Sequence, residues 1–230
     1  GVRAVRKAAG MDFIITFRLS MMELVEDGAT MQDVITLAKA LELAGVSIIN
    51  TGIGWHEARI PTIVTSVPRA AFTRYTAAVK HAINIPVIAA NRINMPQTAE
   101  EILSSGQADL VQMARPFLAD SDWVNKAASN QDHLINTCIG CNQACLDHTF
   151  ANQRASCLVN PLACFESEIS VKPTKKPKKI IIVGAGVAGL SAAVTAASRG
   201  HQVTIYEQHT HIGGQFNMAK VIPGKEEFFE

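Results

Sequence analysis

Four of the five cysteines in this 230-residue chain, Cys138, Cys141, Cys145 and Cys157, lie in one stretch with the spacing C-x2-C-x3-C-x11-C. An odd count is a poor basis for a disulfide framework, and thiolates this close can coordinate either a zinc ion or a cubane iron-sulfur cluster. Zinc ribbons usually use two C-x2-C pairs or add histidines, and the nearby candidate is His148. Three ligands on one loop, with a fourth arriving from beyond it, suit a 4Fe-4S cluster better. Cys164 stands outside the set and reads as a small buried hydrophobe.

The run Gly184-Ala185-Gly186-Val187-Ala188-Gly189 could bind a nucleotide. GxGxxG alone is a weak sign. Here an apolar strand precedes it at 179–183, an Ala-rich helix follows at 190–198, and a second strand at 203–206 ends on Glu207. The glycines let backbone approach a pyrophosphate at the helix N-terminus, and Glu207 is placed to accept a hydrogen bond from a ribose hydroxyl. An acidic residue there argues against a 2′-phosphate, so FAD or NAD is expected at this site rather than NADP. Gly213 and Gly214 offer a second close approach of backbone to a ligand.

Titratable side chains also stand where strands should finish: Arg18, His56, Arg92 and Arg115. Singly, a strand-end arginine is usually a solvated or salt-bridged rim residue, and a lone histidine a polar surface residue. Together they point to a ligand, because parallel sheets gather their chemistry at the carboxyl ends of strands. The planar guanidinium fork can pair two phosphate oxygens at once, which makes Arg92 and Arg115 a candidate phosphate site and FMN a concrete candidate ligand. His56, in GIGWHEARIP, would serve as a general acid close to its ordinary pKa. Glu57 and Arg59 can simply pair with each other on that loop.

The elements that would hold these residues are four βα units with a period of about 30 residues. Strands are expected at 13–17, 47–50, 86–90 and 110–113, with helices at 31–44, from about Pro68, at 97–105 and at 121–129. In the first helix Val34, Ile35, Leu37, Ala38, Leu41 and Ala44 share one face. A closed (β/α)8 barrel needs about 250 residues, so four units are the amount expected of half a TIM barrel, the C-terminal half if Arg92 and Arg115 form the phosphate site after its last two strands, with a small doubly wound sheet as the alternative. A half barrel leaves two open sheet edges, which favours completion by further chain. The expected organisation is 1–130 barrel half, 131–171 cluster segment, 172–179 (KPTKKPKK) basic linker and 180–230 the incomplete start of a Rossmann-like FAD or NAD(P) domain.

Composition limits the partners. With 21 basic against 20 acidic residues and a net charge of +1, no basic field exists to hold nucleic acid. The uncharged run at 180–197 approaches the length of a membrane span, but its glycine fingerprint accounts for it, so no membrane is expected. Gly1 begins no charged-then-apolar leader, so a cytoplasmic location is expected, within a longer protein.

The order of barrel half, four-cysteine motif and nucleotide fingerprint resembles the iron-sulfur flavoenzymes related to old yellow enzyme. GIGWHEARIPT, NTCIGCNQACLD and IGGQFNMAK resemble the members that reduce 2,4-dienoyl-CoA with NADPH in fatty acid beta-oxidation. That resemblance implies that Arg18, Arg92, Ala114 and Arg115 contact FMN, that His56 helps protonate the substrate, and that Glu57, Ala58 and Arg59 line an acyl-CoA pocket. It implies a 4Fe-4S cluster on Cys138, Cys141, Cys145 and Cys157. It also implies FAD held by Gln143, Gly184, Gly186, Gly189, Glu207 and Gln215. Electrons would run from NADPH through FAD, cluster and FMN to give a trans-enoyl-CoA. The tyrosine that partners the histidine and the first barrel half would lie before Gly1, and the NADPH-binding segment within or after the unfinished FAD domain, so this chain alone is not expected to complete the reaction. Rivals are relatives that reduce other enoates or oxidise amines, and a zinc-stabilised scaffold or electron-carrier module.

Overall fold

Thr16–Met22 forms β1 because its alternate side chains, Leu19 and Met21, bury on one face while Arg18 and Ser20 take the other. The computed structural model describes residues 1–55 and 57–222, so His56 and residues 223–230 lie outside the described set. Three further strands follow, β2 (Ile48–Ile53), β3 (Val87–Ala89) and β4 (Leu110–Val111), each parallel to the one before, in the order β1-β2-β3-β4. Strands added in sequence order, without a reversal, follow barrel winding and lack the switch point of a doubly wound sheet.

The helices are α1 (Val2–Ala9), α2 (Met31–Leu43), α3 (Thr73–Lys80), α4 (Pro96–Ser104), α5 (Arg115–Ala119) and α6 (Trp123–Ala128). Thr30 and Asp33 form a capping box that starts α2, and proline suits the first turn of α4. Val34, Ala38 and Leu41 of α2 pack with Val79 of α3 against Leu19, Met21, Ile49 and Val87 of the sheet. A second cluster joins Ala89, Ile102 and Trp123 with Ile135.

Several sequence expectations shift. The first strand lies at Thr16–Met22 rather than 13–17: Phe13 and Ile14 are exposed, whereas Leu19 and Met21 find the core. Arg18 therefore sits inside β1, opposite Asn50, rather than after its end. The third helix begins at Thr73, not Pro68, after an irregular loop. Leu37, expected on the buried face of α2, is exposed.

Beyond α6 the chain makes a short 3-10 turn at Asp132–Leu134, a π-helical turn over Gln143–Asp147 and α7 (His148–Phe150). Contacts divide the chain into two units, Gly1–Pro161 and Leu162–Glu230. In the second, β5 (Lys179–Val183) and β6 (Gln202–Tyr206) pair in parallel around α8 (Val187–Ser198), with α9 (Phe216–Ala219) following. Cys164, expected to be buried, is half-buried with a φ of 66°. No helix among the described residues is long and apolar enough to cross a membrane.

Candidate functional site

The loops after β2, β3 and β4 of the first unit enclose a cavity of about 370 Å³. Arg18, Trp55, Arg92, Gln112, Ala114, Arg115 and Cys138 are among its lining residues, which among the described residues include three arginines and no carboxylate. Such a wall suits an anion. Arg18 reaches it because the face of β1 opposite Leu19 and Met21 carries it there, and its guanidinium lies so near Gly52 that a β-carbon on that glycine would stand 3.3 Å away. Arg92 is 6% exposed and donates from Nε to the Val67 carbonyl at 2.7 Å. Asn91 and Arg92 both adopt left-handed backbone, with φ of 71° and 57°, a cost of the kind that accumulates at functional sites.

A polar pair that sequence reasoning did not single out also stands here. Asn50 donates from Nδ2 to Gln112 Oε1, and Gln112 lines the cavity. The buried Asn50 Oδ1 has no hydrogen-bond partner among the described residues. Such an orphaned acceptor is what a ligand's donor would satisfy. Glu57, Ala58 and Arg59, expected in a substrate pocket, are not among the residues that line this cavity; Ala58 N–H instead closes a turn onto the Trp55 carbonyl at 2.9 Å. The expectation for His56 falls outside the described residues.

The four cysteines of the motif come together. Cys138, Cys141, Cys145 and Cys157 line one small cavity of about 20 Å³, and none is in a disulfide. Among the described residues no three His, Cys, Asp or Glu side chains are arranged as the ligand set of a metal ion. Around a single zinc, with bonds of about 2.3 Å, tetrahedral thiolates would crowd one centre; a multi-iron cluster needs its ligands spread around it. Four free thiols lining one hollow are a donor set that fits a 4Fe-4S cluster, and a zinc ion as well.

Local backbone builds this centre. Gly140 (φ 63°) turns the chain between two of the cysteines, Asn142 (φ 63°) caps the π-helical turn, and that turn carries Cys145. Hydrogen bonds seat the loop on the barrel loops: Thr65 Oγ1 donates to the Ile139 carbonyl at 2.7 Å, and Asn94 Nδ2 to the Cys138 carbonyl at 3.0 Å. Burial pushes the Cys138 thiol up from its ordinary pKa, against the Gly140 backbone N–H and the Arg115 guanidinium, which pull it down. Burial pushes Cys157 up too, against the backbone N–H groups of Val159 and Asn160. A bound cation would reverse that balance by favouring thiolate. Gln143 begins the π-helical turn and is exposed.

In the second unit Gly184 has a φ of 95°, and a β-carbon on Gly189 would stand 2.0 Å from the Gly184 carbonyl oxygen, whereas one on Gly186 would meet open space. These are the three tasks the fingerprint requires: tight turn, close helix packing, and room for a ligand. Glu207 accepts from the Ala185 N–H at 2.7 Å and the His209 N–H at 2.9 Å, and these bonds hold its carboxyl below the usual carboxylate range. Gly213 donates its N–H to the Ala185 carbonyl at 2.7 Å, which brings the Gly213-Gly214-Gln215 loop beside the fingerprint. Glu207 and Gln215 thus flank one turn with Gly184 and Gly186.

Comparison with known proteins gives this architecture a family. Residues 2–133 match the NADH:flavin oxidoreductase / NADH oxidase family, and residues 182–228 match the NAD(P)-binding Rossmann-like domain. The chain is 45% identical over 227 residues to a metal reductase of Desulforamulus reducens, covering 99% of this chain and 34% of that protein. It is 41% identical over 229 residues to an NADH oxidase of Thermoanaerobacter brockii, covering 97% of this chain and 35% of that one. Among solved structures it superposes with a TM-score of 0.96 on 2-naphthoyl-CoA reductase in complex with 2-naphthoyl-CoA, at 32% identity over 99% of this chain and 35% of that one. The chain thus spans about a third of the length of these relatives.

Proposed function

Because this chain belongs to the NADH:flavin oxidoreductase / NADH oxidase family, we propose that it is the flavin- and cluster-binding portion of an NADPH-dependent reductase of conjugated acyl-CoA thioesters, with 2,4-dienoyl-CoA as substrate. One observation carries the reading: a cavity lined by three arginines and, among the described residues, by no carboxylate shares Arg115 and Cys138 in its wall with the hollow that the four cysteines line. The structure of a relative holding a conjugated aryl-CoA thioester supports the substrate class.

On this reading Arg92 and Arg115 hold the FMN phosphate, while Arg18 and Ala114 contact the rest of that flavin. Cys138, Cys141, Cys145 and Cys157 hold a 4Fe-4S cluster. Gln143, Gly184, Gly186, Gly189, Glu207 and Gln215 hold FAD. Bound there, flavins exchange electrons in pairs or singly and the cluster exchanges them singly, which together supply the conversion between nicotinamide hydride and one-electron transfer. The chain's own contribution is orientation, exclusion of water and proton supply. Trp55 walls the arginine cavity, and the His56 imidazole gives a proton to the substrate carbon. Glu57, Ala58 and Arg59 meet the thioester. The histidine's tyrosine partner and the remaining strands of the barrel belong to the full-length protein.

A second reading follows from the 45% and 41% identities to a metal reductase and an NADH oxidase, in which the same electrons leave for a metal ion or for oxygen. The test is anaerobic purification of the full-length protein, with iron, sulfide, zinc, FMN and FAD determined together, followed by NADPH oxidation with 2,4-dienoyl-CoA, ferric citrate or oxygen as acceptor. About four irons with one FMN and one FAD per chain, and turnover fastest with the dienoyl thioester, is the expected result. Zinc without flavin overturns the proposal, and faster turnover of ferric citrate or oxygen replaces the substrate.

A further inference from the structure

We infer that Asn142 is a positioning residue that couples the anion-holding end of the large cavity to the cysteine centre through Arg115. This rests on the reading of the two cavities given above.

Arg115 stands in the wall of both cavities. Its Nη1 is shared between the Ile63 carbonyl at 2.9 Å, on the loop after β2, and the side-chain oxygen of Asn142. Asn142 directly follows Cys141 and caps the π-helical turn that carries Cys145, and its carbonyl accepts the Asp147 N–H at 3.1 Å that closes that turn. One amide therefore ties the arginine to the backbone that aims two of the four thiols. Filling the thiol centre fixes that backbone, and a fixed Asn142 holds the guanidinium in one orientation before the anion arrives. Ordering done once need not be done again when the second ligand binds. Linkage makes the effect mutual: an anion on Arg115 must stabilise the filled centre by the factor by which the filled centre favours the anion.

The position permits a clean substitution. Asn142 has a φ of 63°, a region that glycine occupies freely, so Asn142→Gly removes the amide and leaves the backbone unstrained. The Thr65–Ile139 and Asn94–Cys138 hydrogen bonds continue to seat the loop in that variant. Asn142→Asp keeps an acceptor for the guanidinium and serves as the conservative partner.

The experiment uses the full-length protein, purified anaerobically and then freed of flavin. Iron release to a chelator is timed alone, with saturating FMN, and with riboflavin, which lacks the phosphate. In the parent protein FMN should slow release on the order of tenfold, and riboflavin should not. In Asn142→Gly the release rate should become independent of FMN; in Asn142→Asp the protection should persist. Undiminished protection in Asn142→Gly, or no protection in the parent that binds both iron and FMN, overturns the coupling alone. A parent protein that holds no iron, or has no affinity for FMN, overturns the underlying reading with it.

Discussion

At Gly189 there is no room for a methyl group, because a β-carbon would lie 2.0 Å from the Gly184 carbonyl oxygen. Gly189→Ala must push α8 away from the turn, at a cost of about 1–3 kcal/mol, and should lower the FAD content of the purified full-length protein; retention of full FAD content with unchanged denaturation would contradict this. Glu207 has a task in the turn itself beside the ribose contact proposed for it. Its carboxylate pins the fingerprint turn through the Ala185 N–H and retains acceptor capacity for a ribose. Its lowered pKa keeps it ionised throughout the neutral range, so that turn loosens only as pH falls through the lowered value. Glu207→Ala should weaken nucleotide binding about tenfold, read by titrating FAD into the flavin-free protein, and an unchanged affinity would remove the residue from the site.

Among the elements, the segment from α5 to the first cysteine hangs on Asp120, which is 5% exposed. Its carboxylate meets Lys126 Nζ of α6 at 2.6 Å and the Asn136 N–H at 2.9 Å, two residues before Cys138. Burial raises its pKa, but Lys126 and the backbone N–H groups of Asn136 and Asp122 outweigh that and leave it lowered. The stabilisation it gives is complete above the unfolded carboxyl value of about 3.9 and disappears as pH falls through the lower folded value. Asp120→Asn should destabilise by about 2–4 kcal/mol at neutral pH and flatten the acid limb of the stability profile, measured by urea denaturation at several pH values. Sequence periodicity located α2, α4 and all three later strands of the first unit's sheet, because burial on one face leaves a repeating pattern. It misplaced β1 by extending an apolar run backwards, since Phe13 and Ile14 are exposed while Leu19 and Met21 enter the core. The π-helical turn and the Arg115–Asn142 contact left no periodic trace, being set by the meeting of distant loops. That the cysteines would lie together was legible from residue type and spacing, and that Arg92 and Arg115 would share a wall from counting strand ends, but Arg18 reaches the cavity from inside β1, where a strand-end count does not put it.

For the molecule as a whole, the two units join ahead of a lysine-rich stretch in which Lys175 and Lys176 are exposed. Trypsin is blocked at Lys172 and Lys176 by the prolines that follow them, and Lys178 and Lys179 are held where β5 pairs with β6, the Lys178 carbonyl accepting the Gln202 N–H at 2.9 Å, so under native conditions the first cut should fall after Lys175; mass spectrometry of a time course reads this directly. Early cleavage elsewhere would place the weakest point of the chain in another segment. The sheet of the first unit has a consequence for how the protein is made. Each of its strands pairs with the one immediately before it in sequence, so the ribosome delivers them in the order in which they zip together. Every new βα unit can dock on a platform already formed, with only a short loop to close, while the cysteine segment emerges afterwards onto a finished surface. Synthesis thus brings out the four thiols only once the loops that cradle them are in position.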